Sequence, residues 1–223
     1  MTRTTAVAVA ALLLASALGY WGVSAYRKAQ QHKAVSALVA DASQRLETAL
    51  ALETEASAAS SPQTVSKLDE HAQEVDRHVM ELHDMSRGPN PALISAADDY
   101  LLTVRQILRQ QAASHRYRVQ VAASETALRE HMRAAGRRSG AWIDEAVRMK
   151  DRLERNYFDY RVSAEALGRL LAEYPASRRK LVAQLGMPLL GDEAVEDARR
   201  RSAATLSRIS ASVEQARQLA AVR

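Results

Sequence analysis

Between its prolines this chain repeats apolar side chains in steps of three and four residues, and it shows no strand-like alternation of useful length. Val65, Leu68, Ala72, Val75, Val79 and Leu82 make one such run, the seam of a helix that packs lengthwise against others. Ile94, Ala97, Leu101, Val104 and Leu108 make a second. Trp142, Ala146, Met149, Leu153, Tyr157, Tyr160, Ala164, Leu167 and Leu171 make a third. Val195, Ala198, Leu206, Ile209, Val213, Ala216 and Ala220 make a fourth. The fold class that follows is all-α. One Phe and two Trp leave Leu, Val, Ile, Met and Ala to build the core, and these suit closely packed helices.

All five prolines fall at three places, Pro62, the pair Pro89 and Pro91, and the stretch holding Pro175 and Pro188. These are the breaks. Ser61 caps a helix with Pro62 as its first residue, Gly88 stops it, and Asn90 and Pro91 start the next. Asp192 and Glu193 open the last helix, where carboxylates meet the positive end of the macrodipole. The expected helices are 27–60, 62–87, 91–135, 140–174 and 192–222, with a short turn over 177–185. At 1.5 Å per residue the third reaches about 67 Å and the second about 39 Å. Such lengths do not pair evenly, so the long helices are expected to protrude from a four- or five-helix antiparallel bundle or to pair with another copy. Gly136 and Gly140 make the boundary between the third and fourth helices the softest, and one continuous helix over 91–174 is the alternative.

The opening of the chain restricts its address. No charged side chain lies between Arg3 and Arg27, so residues 5–26 are long enough to cross a bilayer, which takes about 20 apolar residues. Tyr20, Trp21 and Tyr26 sit where an interfacial aromatic belt belongs, with Arg27 and Lys28 just beyond. Residues 1–26 are therefore read as a signal anchor, a single transmembrane helix continuing into an elongated bundle or coiled coil over 27–223. Small residues at 15–17 and 23–25 also fit a cleavage site, and removal with export is the alternative. The expected location is the inner membrane with the helical domain on the periplasmic side. Arg27, Lys28 and Lys33 against Arg3 pull mildly toward a cytoplasmic domain instead.

Chemistry-bearing motifs are few. The chain has no Cys, which removes thiolate metal sites, thiol nucleophiles and disulfides. It has no phosphate-cradling glycine loop, nucleophile elbow or zinc-protease helix motif, so no enzymatic activity and no cofactor are expected. His71, Glu74, His78 and Glu81 step by three and four along one stripe beside the seam of the second helix. Two imidazoles and two carboxylates suit a divalent transition metal, while the plainer reading is a solvated polar edge. Tyr157 and Tyr160 belong to the seam. Phe158 does not, and is expected to cover a partner helix or wall a ligand pocket.

Charge is segregated. Residues 67–100 hold 3 basic and 8 acidic side chains, a balance of −5, and residues 101–161 hold 13 and 7, a balance of +6. The two regions should meet, within one chain or between two. The arginines are interleaved with acids four residues away, the pattern of an ion-paired helix surface rather than a nucleic-acid footprint. Two functional expectations follow. The first is a membrane-tethered scaffold that pairs with itself or with an envelope protein through its seams. The second is a bundle that senses a small molecule or metal and signals to a membrane partner.

Overall fold

A computed structural model describes residues 3–55, 62–134 and 139–221 of the chain, with side chains from residue 22 onward except 53–55, 219 and 221. Among the described residues there are five helices and no strand: α1 (Arg3–Glu55), α2 (Pro62–Asp84), α3 (Pro91–Arg133), α4 (Gly140–Leu185) and α5 (Asp192–Ala221). The capping expected at Ser61 and the boundary residue Gly136 lie outside the described residues. α3 and α4 are two separate helices. Ser139 caps α4 by accepting from the Trp142 amide at 3.3 Å, and the Asn90 side chain does the same for Leu93 at 3.3 Å with Pro91 as first helical residue.

The unequal helix lengths are accommodated within one chain. α3 and α4 form a long antiparallel hairpin, fixed by Asn156 Nδ2 donating to Ser124 Oγ at 2.7 Å and Gln110 Nε2 donating to Ser163 Oγ at 2.7 Å. Along one half of it, α1 from Val35 to Leu50 and α2 from Leu68 to Leu82 complete a core with Leu93, Leu101, Val104 and Leu108 of α3 and Leu167, Leu171 and Leu181 of α4. Along the other half, Val121, Leu128 and Met132 of α3, Leu153 and Tyr160 of α4 and Val213 and Ala216 of α5 make a second core. The result is a four-helix bundle that continues as three helices. α5 begins at the first core, through Val195 and Ala198, and runs antiparallel to α4 toward the second.

The opposite charge blocks meet inside the chain. Asp76 of α2 pairs with Arg105 at 3.1 Å and with Arg109, and Asp69 pairs with Arg116 at 3.1 Å. Half-exposed pairs such as these are worth at most about 1 kcal/mol each. They select the antiparallel register of α2 on α3 more than they stabilise it.

One expected break is absent. α4 runs through Pro175 to Leu185 instead of ending at 174. Proline has no N–H for the carbonyl four residues back, a cost of about 3 kcal/mol. Continuing the helix buries Tyr174, Leu181 and Leu185, at about 1.5–3 kcal/mol per large apolar side chain, so burial outweighs the lost bond. The helix stops instead at Gly186, whose φ of 66° is the left-handed conformation glycine adopts without strain. The connector that follows caps the bundle: Leu189 is buried, and Met187 and Leu190 pack on the first core.

Among the described residues no helix is long and apolar enough to cross a membrane. Tyr20, Trp21 and most of the uncharged stretch lie outside the residues whose side chains are described.

Candidate functional site

The histidine stripe of α2 meets α1, and the residues it meets there were not singled out by the sequence. Asp41 and Arg45 stand one turn apart on α1, beside its buried Ala42 and Leu46. His78 Nε2 lies 2.6 Å from Asp41 Oδ2, and Arg45 Nε donates to the same oxygen at 2.5 Å. His71 Nδ1 is 3.4 Å from the Arg45 guanidinium. Glu74 pairs with Arg77 of its own helix, and Glu81 is exposed.

His71, Glu74, His78 and Glu81 therefore do not converge. Along one helix they span ten residue steps, about 15 Å, so a shared ion would need help from the neighbouring helix. At that place α1 supplies one carboxylate, Asp41, already bonded to His78 and Arg45, and beside His71 it supplies the Arg45 cation. Among the described residues no group of three or more His, Asp or Glu side chains is gathered as a metal ion requires.

Electrostatics within the cluster follow burial and charge. Burial raises the Asp41 carboxyl, but the bonds from His78 and Arg45 together outweigh it and hold the group below its ordinary value of 3.8. Burial, then the Arg45 charge, lowers His71 from 6.5. His78 Nδ1 is buried with no hydrogen-bond partner among the described residues. The arrangement fastens α1 to α2 by a directional, charge-assisted bond.

A second polar set fixes the other side of α1. The Tyr100 and Tyr174 hydroxyls are 3.3 Å apart in the first core, Tyr174 donates to the Leu190 carbonyl at 3.2 Å, and the Leu190 amide donates to Ser43 Oγ at 3.0 Å. Burial raises both phenols above their ordinary value of 10.0. Four chain segments are thereby tied at one point.

The outer face of α4 is of a different kind. Ile143, Val147, Phe158 and Val162 are 51%, 52%, 55% and 46% exposed. Spacings of four, eleven and four residues keep them on one face. Phe158 is thus placed off the seam, as its position in sequence implies, and carries the Arg161 guanidinium 5.5 Å from its ring centre. Next to it an open groove of about 600 Å³ is lined by Asp151, Glu154, Arg155, Phe158, Arg161 and Arg217. Glu154 is held there by Arg217 at 3.1 Å.

Of the residues assigned to a membrane interface, Tyr26, Arg27 and Lys28 are described and exposed on α1. Comparison with protein-family models, with curated proteins and with solved structures finds no match to this chain.

Proposed function

We propose that the chain is a non-enzymatic scaffold, held in the inner membrane by residues 1–26 and pairing through the outer face of α4 with a second copy or an envelope protein. The observation that carries this reading is the row of Ile143, Val147, Phe158 and Val162 left half in water. Large apolar side chains gathered on one face of a soluble bundle mark an interaction surface. The anchor reading rests on the uncharged stretch, and α1 supports it by running as one helix from Arg3 into the bundle core. A rigid connection of that kind holds the bundle at a fixed height over a bilayer. The domain stands on the periplasmic side in this reading.

Two measurements test it. The full chain should stay with bilayers through carbonate extraction, and release into the wash would remove the anchor. Light scattering in mild detergent should give a dimer or larger, reduced to a monomer by Phe158→Glu with Val162→Glu. A wild-type monomer, or an oligomer unmoved by those substitutions, would remove the pairing face. The groove beside Phe158 favours the second reading, a small-molecule sensor, and a monomer whose unfolding temperature rises with ligand would establish it.

A further inference from the structure

The turn between α2 and α3 is clamped to α1 just above its basic collar. Gln31 is a buried polar residue of α1, only 7% exposed. Its Nε2 donates to the Met85 carbonyl at 3.2 Å, and its Oε1 accepts from the Asn90 amide at 2.9 Å. One side chain therefore brackets both ends of the turn. Gly88, in the middle, lies so close that a Cβ there would overlap the Gln31 amide. The turn has one available seat, and Gln31 sets it.

That seat sets the turn that carries Arg87 against α1 one helical turn from Arg27 and Lys28. Arg27 and Lys28 precede Gln31 by four and three residues, so they share its face of α1, one turn closer to the uncharged stretch. Arg87 stands on the clamped turn. All three are exposed, and none has an ion-pair partner among the described residues. The nearest acid in sequence to Arg87 is the exposed Asp84 at the end of α2, so the patch keeps a positive excess.

We infer that the Met85–Asn90 turn is a second membrane contact, in which Arg87 joins Arg27 and Lys28 to bind the phosphates of anionic lipid headgroups. Basic side chains next to a spanning segment gain about fivefold in affinity per charge for an anionic surface. Because the turn is locked to α1, Arg87 is presented at headgroup height instead of reaching there on a loose loop. The inference rests on the anchor reading above and adds to it a lipid preference and a fixed base for the bundle.

The chain has no Cys, so Ser86→Cys gives a single labelling site on the exposed turn. The full-length labelled chain is placed in nanodiscs of phosphatidylcholine with roughly a third phosphatidylglycerol, the same number of quencher-bearing headgroups being carried on one lipid or on the other. Because the height of the turn is fixed, the readout is which lipid gathers beside it: quenching about threefold or more stronger with the quencher on phosphatidylglycerol, and made equal by Arg87→Glu, is the expected result. Circular dichroism of the Arg87→Glu chain shows that its helices persist. Equal quenching from both lipids in the wild-type chain, or a preference unmoved by Arg87→Glu, overturns the lipid contact at Arg87 and leaves the anchor standing. A chain that elutes apart from both kinds of disc overturns the anchor, and this inference with it.

Discussion

His78 on α2 and Asp41 on α1 lie 2.6 Å apart, Nε2 to Oδ2, and the pair is the shorter of two charge-assisted contacts between these helices, the other being Arg45 with His71 at 3.4 Å. The apolar contacts around it, from Val35 to Leu50 on α1 and Leu68 to Leu82 on α2, are non-directional. The bond adds direction, and with it a register: sliding α1 by one turn would carry Asp41 away from His78 and leave the half-buried imidazole without its carboxylate.

Asp41→Asn removes the charge that His78 and Arg45 share. The Asp41 side chain is 39% exposed, so solvent screens the pair and the loss should be modest, about 1 kcal/mol at pH 7 in denaturant unfolding. Asp41 is held below its ordinary value in the folded chain. Its contribution is thus complete above the unfolded value of 3.8 and disappears as pH falls through the lower folded value. The difference between wild type and Asp41→Asn should shrink below about pH 4. A difference that is the same at pH 7 and pH 3 would show that the carboxylate charge is not what joins the helices.

His115 also makes the fold sensitive to acid, in a higher pH window. It is 2% exposed on α3, and burial, then the Arg118 charge, lowers it from 6.5 to about 4. Between those two values the unfolded chain binds the proton and the folded chain does not. Stability from this residue is complete above pH 6.5 and is lost progressively as pH falls toward 4, by up to about 3 kcal/mol. His115→Gln keeps an acceptor for the Arg118 guanidinium, which stands 3.0 Å from Nδ1, and removes the titration. Unfolding free energy plotted against pH should be flatter for the variant between 7 and 4.5. Parallel curves would place the acid sensitivity elsewhere.

Both residues show how far the sequence reaches. The helix faces were legible because apolar spacing reports them directly: Leu68, Ala72, Val75 and Leu82 are buried as their spacing requires. Asn90 and Pro91 start α3 where expected, because caps act locally, whereas α2 ends at Asp84, short of the expected 87, and Gly88 lies within the turn without the left-handed φ of a helix stop. The partners of His71 and His78 were not legible, since Asp41 and Arg45 come from another helix and nothing local says which turn of α1 faces which turn of α2. α3 also exceeds its seam. Leu93, Tyr100, Ile107 and Gln111 are buried besides the seam residues, because helices surround it on several sides, and one heptad stripe counts only one neighbour.

Pro175 is the clearest case of tertiary packing overriding a local signal. Its missing N–H leaves the Leu171 carbonyl without its helical donor, while Tyr174, Leu181 and Leu185 hold the helix in place by burial. Pro175→Ala should therefore restore a hydrogen bond and remove a ring clash without moving the core. Stabilisation of about 1 kcal/mol or more is expected in thermal or denaturant unfolding, with helix content unchanged. A destabilised Pro175→Ala chain would mean that the proline sets a bend the α4 packing needs.

Gly88 and Gln31 are coupled in a way that reverses the sign of one substitution. Gly88 has a backbone open to other residues, with no left-handed φ, so alanine brings no conformational strain there. What it meets is the Gln31 amide, with the Met85 carbonyl at 3.0 Å able to give by a few tenths of an ångström. In the wild-type chain Gly88→Ala must push Gln31 off both the Met85 carbonyl and the Asn90 amide, a loss of about 1–2 kcal/mol. With Gln31→Ala already made, only the Met85 carbonyl remains close, at 3.0 Å, and with a shift of a few tenths of an ångström there the same Gly88→Ala should stabilise by about 0.4–1 kcal/mol through the narrower unfolded ensemble. Unfolding of the two single variants and the double variant measures the coupling directly. A Gly88→Ala cost that is the same in both backgrounds would show that the turn is held by something other than the Gln31 bracket.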